Sequence, residues 1–505
     1  MSEPILVSGT DSSTDKVQTV VVNAATGEVV ADVTISLKEA FGAKYRLQEG
    51  GFIRGDGGAV RIPYGLLTDG IDVSFDAVTR EIEAKGYDRK HWRRMVYSLQ
   101  QHGMGAWKRR PKGISLQDVG SDPRRLLSDV VDGLFSTPMA TSWMDTSSEA
   151  VCQKFLRFLP AARYAQITGS APQVSHRFLV PQATRLHEED SDAFLQTEEF
   201  NVLASICATF LTGQRQGIGE DEASMTLGMN LRRRQWSKML LRQCYPKGLG
   251  SRLPKIIPAG AELGRLWRYW VERHALSPEL IVHMGFGDNI AADLTAGGVK
   301  LSLGSSGTFY QDLDAATYDP TYACHVLRNG KDAYMGMYVT DKCGKLVQRV
   351  MEASRLSWDV FNRSVDNPQW TDPTECVFVD DRDQILYFAG GANIAAALTR
   401  SILTDIHRRV AFLGKPPYIV ATGGFAKPGV AKMAADIWGC PVSVAPEVNR
   451  VAYGSAIWSM TQATGRALGI VASNLCPTGT RIDPDPQRAY FYRQLAAEFA
   501  KRFPV

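Results

Sequence analysis

Short apolar, β-branched runs separated by small polar residues mark the start of the chain. Ile5-Leu6-Val7 is apolar, Gly9 to Asp15 has turn-forming composition, and Gln18 to Asn23 is β-branched. Ala24-Ala25-Thr26-Gly27 then leads into Glu28 to Val33. This alternation predicts three strands joined by turns. Phe75 to Lys85 has the spacing of an amphipathic helix, and Met95-Val96-Tyr97-Ser98-Leu99 reads as a buried strand running into Gln100-Gln101-His102-Gly103. From 121 to 275 the pattern is mostly helical, punctuated by Thr168-Gly169-Ser170 and by Gly217 to Glu220.

A new strand, Leu280 to His283, follows the turn-like Leu276-Ser277-Pro278, which places a domain boundary near residue 277. The second half repeats the opening theme: a turn, the strand Val299 to Leu303, then a Ser/Gly turn. Ala395 to Phe412 reads as a long helix, followed by the strand Tyr418 to Ala421 and the turn Thr422-Gly423-Gly424. Tyr490 to Phe503 has helical amphipathic spacing and is expected to pack back on the body. The expected domains are 1–276, 277–463 and a tail, 464–505. Both halves open with strands around a Ser/Thr/Gly turn and continue into helices, which suggests a duplicated α/β domain with a cleft between the copies.

The length of 505 residues exceeds what one core usually serves, in keeping with two large domains. Hydrophobic residues at 44% and charged ones at 22% are the balance of a soluble globular chain. A net charge of +4 without a basic-aromatic cluster argues against nucleic-acid binding, and Arg232-Arg233-Arg234 reads as a solvated helix turn. Met1 to Val7 lacks a basic n-region followed by an apolar one, so no secretory signal is expected. No apolar run is long enough for a membrane span. The eight cysteines lie far apart, with no CxxC pair, and read as reduced, packed thiols; a zinc site has no support.

Candidate chemistry sits on the turns. Neither Gly285-Phe286-Gly287, with Ile290 at its sixth position, nor Gly424 to Gly429, which lacks Lys-Ser/Thr, is a standard nucleotide signature. Asp11-Ser12-Ser13-Thr14 could bring backbone and hydroxyl groups to phosphate oxygens, with Asp11 beside Mg²⁺ through water; the alternative is an ordinary polar hairpin. Gln101-His102-Gly103 offers donors and acceptors to sugar hydroxyls, or else His102 is structural. Trp143-Met144-Asp145 is as readily packing. Asp288, on a glycine turn at an expected helix start, is placed to accept a proton from an alcohol, the helix terminus helping to keep it ionised; the alternative is a helix cap. Gly304-Ser305-Ser306-Gly307 and Thr422-Gly423-Gly424 would let a nucleotide lie against the backbone.

In this order and spacing, from about residue 5 to residue 463, these segments resemble the FGGY carbohydrate kinases, most closely the xylulokinase branch. Gln100-Gln101-His102-Gly103 matches that branch's sugar-side motif, and Gly287-Asp288-Asn289 matches the segment bearing the family's catalytic base. Trp143-Met144-Asp145, Gly304-Ser305-Ser306-Gly307, Ala421-Thr422-Gly423-Gly424, Ala434-Ala435-Asp436-Ile437 and Tyr453-Gly454-Ser455-Ala456 match further signatures, and Trp358 resembles a Trp packing near the nucleotide. The resemblance implies an α/β, duplicated actin-like ATPase (ribonuclease H-like) fold with a central cleft. It also implies a cytoplasmic, ATP- and Mg²⁺-dependent kinase that phosphorylates the terminal hydroxyl of a ketopentose, D-xylulose first.

By the same resemblance Asp288 is the base, Gln101, His102, Asp288 and Asn289 bind the sugar, and Asp11 serves the metal. Thr14, Ser305, Ser306, Trp358, Gly423 and Gly424 would bind ATP. The expected partners are the sugar and ATP, with no nucleic acid and no membrane; a homodimer is left open. Three positions depart from the family: Gln18 replaces a Lys, Ala171 replaces a sugar-contacting Arg with Arg177 nearby, and Pro428 has no amide to offer adenine. The alternatives are a kinase for another pentulose or polyol such as ribulose, a catalytically weakened sugar- or nucleotide-binding member, and an actin- or chaperone-like ATPase. The intact Gln101-His102-Gly103 argues against the last.

Overall fold

The structure, a computed structural model, describes residues 3–48, 50–109, 116, 122–366, 377–379, 385–387, 394–446, 448–477 and 479–502. Cys376 and Phe503 lie outside them. The chain forms two compact units. Unit 1 comprises Met1–Thr295, Leu327–Ala333 and Asn449–Leu475; unit 2 comprises Ala296–Val326, Tyr334–Val448 and Cys476–Val505. The boundary expected near residue 277 falls inside unit 1, because Ile281–His283 pairs in parallel with Trp92–Leu99 in that unit's main sheet.

That sheet has six strands in the order Glu262–Arg265, Ile281–His283, Trp92–Leu99, Leu6–Ser12, Lys16–Asn23, Val29–Ser36. The first three strands in sequence form an antiparallel meander, and Leu6–Ser12 also pairs in parallel with Trp92–Leu99. Gly9 to Asp15 is not a turn. The strand continues through Asp11 and Ser12, and only Ser13 to Asp15 bends. Gly9 serves another purpose: a Cβ there would stand 2.1 Å from both Ala452 O and Ala456 N of the Arg450–Thr464 helix. The glycine therefore lets that helix lie on the strand.

The helix expected from Phe75 begins earlier, spanning Tyr64–Ala84. Its first half, Tyr64 to Ile71, is buried all round and so shows no amphipathic period. Segment 121–275 is also less uniformly helical than expected. It contains the strand Thr197–Val202, paired with Met104–Lys108, and the hairpin Met229–Asn230/Gln235–Trp236. Arg232 to Arg234 form the turn of that hairpin rather than a helix turn, with Arg234 at φ 52°. Trp92, Tyr97, Phe75, Trp270 and Phe210 centre the unit's core.

Unit 2 is built on a seven-stranded sheet in the order His325–Arg328, Tyr334–Thr340, Gly307–Leu313, Val299–Leu303, Ile419–Thr422, Val442–Val444, Thr480–Ile482. Gly344–Ala353, Ile394–Arg409 and Pro428–Trp438 are its principal helices. In the tail helix Pro486–Arg502, Tyr492 and Leu495 join this unit's core with Leu398, Ala434 and Val430. Pro428 opens its helix at N1, where a missing N–H costs nothing. The seven described cysteines are unbonded and buried. Among the described residues, no helix is long and apolar enough to cross a membrane.

Candidate active site

Asp288 is the first residue of the Asp288–Asp293 helix, with Gly287 as its cap. The approach is fixed by backbone contact. Phe286 N donates to Ser98 Oγ at 3.1 Å, and Leu99 N donates to Phe286 O at 3.2 Å. A Cβ on Gly285 would stand 1.9 Å from Tyr97 O, so only glycine lets this segment run along the end of the Trp92–Leu99 strand.

Asp288 Oδ1 accepts from Asn289 N at 2.7 Å and from Asn289 Nδ2 at 2.9 Å. Asn289 Nδ2 also donates to Gln101 Oε1 at 2.7 Å, and Gln101 Nε2 donates to Met225 Sδ at 3.2 Å. The amide of Gln101 thus braces Asn289, which braces the carboxylate. The backbone amide of Gln101 adds a further hydrogen bond to the carboxylate. The carboxylate is held by Asn289 and Gln101 and stays partly exposed, within reach of an incoming hydroxyl.

The helix terminus does not hold Asp288 at a low pKa, contrary to the expectation from sequence. Loss of hydration, with the neighbouring charge of Asp11 adding to it, raises it to about 7 against the hydrogen bonds from Asn289 and the Gln101 backbone. A six-residue helix carries too small a dipole to offset that. A carboxylate titrating near 7 remains a competent base at neutral pH.

Asp11, 6% exposed, lies in the Leu6–Ser12 strand, opposite Gln18 on one side and Ser98 on the other. Its Oδ2 accepts from Asn449 Nδ2 at 2.9 Å, whereas Oδ1 is buried without a hydrogen-bond partner. Burial lifts Asp11 to about 6. Asn449 also donates to Gln18 Oε1 at 3.0 Å and caps the Arg450–Thr464 helix through the amides of Val451 and Ala452. Gln18 donates in turn to Asp32 at 2.7 Å. Gln18 thus joins amides and carboxylates in one network with Asn449, Asp11 and Asp32. Asn449 was missed in the sequence; its one signal was the Asn cap pattern before an apolar run.

His102 stands beside these groups in sequence, in a left-handed conformation at φ 63°, its ring stacked on Phe178 at 4.7 Å. Thr14 Oγ1 accepts from Trp143 Nε1 at 2.9 Å, and Arg177 lies over the Trp143 ring at 5.8 Å. Ala171 is buried and offers only its carbonyl, which Ser175 Oγ uses at 2.7 Å. Asp145 is fully engaged with Val60, Arg61, Ser147 and Gln182, so Trp143-Met144-Asp145 anchors the loop rather than a ligand.

The other candidates lie in unit 2 and meet around one pair of turns. Ser305 is exposed and Ser306 half-buried at the hairpin between Val299–Leu303 and Gly307–Leu313. The amides of Gly344 and Lys345 donate to Gly304 O at 3.0 Å and Ser305 O at 3.1 Å. Gly423, at φ 92°, approaches so closely that a Cβ would stand 2.4 Å from Leu303 O, and Gly424 beside it is exposed. Trp358 is 49% exposed and connects to this turn through Phe361, at 5.4 Å, and Phe425, at a further 5.6 Å. Open backbone, two hydroxyls and an exposed indole face suit a nucleotide.

No family model matches the chain. The protein named xylulose kinase from Rattus norvegicus is 25% identical over 464 residues, covering 85% of this chain and 84% of that one. Xylulose kinase 2 of Arabidopsis thaliana is 29% identical over 305 residues, 59% of this chain and about half, 53%, of that one. The crystal structure of xylulose kinase from Rhodospirillum rubrum superposes with a TM-score of 0.79 at 15% identity, over 98% of both chains. The fold is that of the sugar kinases. The expected two-domain, actin-like ATPase architecture is therefore the one found.

Proposed function

We propose that this carbohydrate kinase transfers the γ-phosphoryl group of ATP to the terminal hydroxyl of a ketopentose, with D-xylulose giving D-xylulose 5-phosphate. The observation that carries the reading is Asp288. It is anchored at Oδ1 by Asn289, itself braced by Gln101, is partly exposed, and has a pKa raised to about 7. Asp288 accepts the hydroxyl proton as the oxygen attacks phosphorus. Asn289 and Gln101 hold it in place, and His102 supplies a further polar group toward the sugar. Because phosphoryl transfer is largely positioning and charge stabilisation, the base accounts for about 10²–10⁴-fold of the rate.

Within unit 2, Ser305, Ser306, Gly423 and Gly424 hold the phosphates, and Trp358 packs near the base of the nucleotide. Asp11 suits Mg²⁺: its Oδ1 is buried and unpartnered, and a single carboxylate matches an ion that keeps several waters. Held there, the ion would supply charge neutralisation on phosphate oxygens. The same positions in a cytoplasmic FGGY enzyme give the reading its family frame. The alternative, another pentulose or a polyol such as ribulose, draws on Ala171, which is buried and presents no side-chain polar group to a sugar.

An ADP-release assay across ketopentoses and polyols tests the reading. The highest kcat/KM is expected with D-xylulose. Turnover of polyols alone would favour the alternative, and no ADP release with any sugar would overturn both.

A further inference from the structure

The Glu220–Ser224 helix carries three consecutive buried carboxylates. Among the described residues, ion pairs are seen only at the first: Glu220 pairs with Arg328 at 3.3 Å and lies 3.8 Å from Arg234. Asp221 is 0% exposed and Glu222 3% exposed. Both oxygens of Asp221 and Oε1 of Glu222 are buried with no side-chain partner among the described residues; only backbone amides approach them, those of Glu222 and Gly287 at Asp221 and that of His102 at Glu222. Two adjacent buried carboxylates with no cation of their own keep at least one proton between them at neutral pH. Of the groups facing Glu222, all but one work in that direction. Burial raises it well above the carboxylate range, and the charges of Asp221 and Asp288 add to the effect, against the His102 amide.

The position of Glu222 is as telling as its charge. A Cβ on Gly287 would stand 2.1 Å from Glu222 Oε1 and 2.1 Å from Gln101 Cγ. The Glu222 carboxyl thus occupies the space a side chain at 287 would fill, directly before Asp288. Gln101 closes the other side and is itself tied to Met225, just past the same helix. The Gly287 turn is therefore gripped from both sides, and phosphoryl transfer as derived above leaves Glu222 without a role.

We propose that Glu222 is a positioning residue for Asp288: as a neutral acid lodged against Gly287, it fixes the turn from which the base projects. This rests on Asp288 being the base. Glu222→Gln keeps the shape with a neutral head group, whereas Glu222→Ala empties the space. With the sugar that the wild type turns over, Glu222→Gln is expected to stay within about threefold of wild type in kcat and KM. Glu222→Ala is expected to lose roughly ten- to a hundredfold in kcat with sugar KM within about threefold, the signature of a misplaced base. An Ala variant with unchanged kcat, or a folded Gln variant as impaired as Ala, overturns the proposal. If the Ala variant does not fold, the Gln kinetics decide.

A second arm needs no turnover. The infrared difference spectrum of wild type against Glu222→Gln at neutral pH is expected to show a protonated-carboxyl band lost in the variant. Its absence overturns the neutral acid. A wild type that phosphorylates no sugar would overturn the functional reading, while this spectrum still judges Glu222.

Discussion

At the scale of single residues, Asp288 combines two properties that make its role measurable. Its carboxylate is the charged form that must accept a proton, and burial beside Asp11 places its titration at about 7. Sugar kcat/KM is therefore expected to rise with pH and level off above about 7. On the acid side the slope approaches tenfold per unit, as only the ionised fraction reacts. A profile flat from pH 5.5 to 8 would remove Asp288 from the rate-determining proton transfer. Asp288→Asn keeps the bond to Asn289 within reach but removes the acceptor, so kcat should fall by at least about a hundredfold while sugar affinity, read by calorimetry, holds. More than about a tenth of wild-type kcat would show that another group takes the proton. His102 is a separate case. A non-glycine residue at φ 63° is strained, and its ring is fixed on Phe178. Loss of its hydrogen bond to a sugar in His102→Ala should cost about 1–3 kcal/mol, roughly five- to 150-fold, mostly in KM. If KM is unchanged for every sugar, the ring serves only to pack against Phe178.

Among the elements, glycines bring chemistry together, and they also show what a sequence can disclose. Gly285 and Gly287 were legible as turn formers beside Asp288. What they admit, the Tyr97 carbonyl and the Glu222 carboxyl, comes from segments far away in the chain. Asn449 bonds Asp11 across 438 residues, a pairing that no local pattern carries. The strands were readable because β-branched runs alternate with turns, and the later part of the long helix because one of its faces is polar. The buried first half of that helix and the two-residue strands were not, since neither has a period to detect. Gly9 was taken for part of a turn because its composition is turn-like, yet its reason is the helix backbone at 2.1 Å. Gly9→Ala should thus cost more than about 3 kcal/mol, as backbone on the far side cannot rotate away. Gly469→Ala, in the Leu468–Leu475 helix with nothing within 4 Å of its new Cβ, should be neutral or stabilising by about 0.5–1 kcal/mol. Thermal unfolding of the two variants gives the comparison, and equal melting points would mean the Arg450–Thr464 helix does not depend on that contact.

For the molecule as a whole, the acids of unit 1 set how stability responds to pH. Burial chiefly raises Asp11 to about 6, Asp288 and Asp221 to about 7, and Glu222 well above the usual carboxylate range. Unfolded, each returns to about 4. A raised folded pKa means that the native state holds protons the unfolded chain has released. Stability from these groups is therefore complete below about pH 4 and declines as pH climbs to about 7, by up to about 1.4 kcal/mol per pH unit for each proton retained. Paired surface carboxylates such as Asp72, held low by His274 and Arg273 against its burial, act in the opposite sense and are lost only in acid. The two trends predict a melting temperature that falls between about pH 5 and 7 in the protein without nucleotide. Asp288→Asn separates the contributions: an amide has no proton to lose, so the variant should match wild type near pH 4 and exceed it above pH 7 by a few kcal/mol. Calorimetric melting of both proteins from pH 4 to 8 decides it. A variant less stable than wild type at pH 8 would mean that Asp288 is held by favourable contacts when charged, and that the base is not strained by its surroundings.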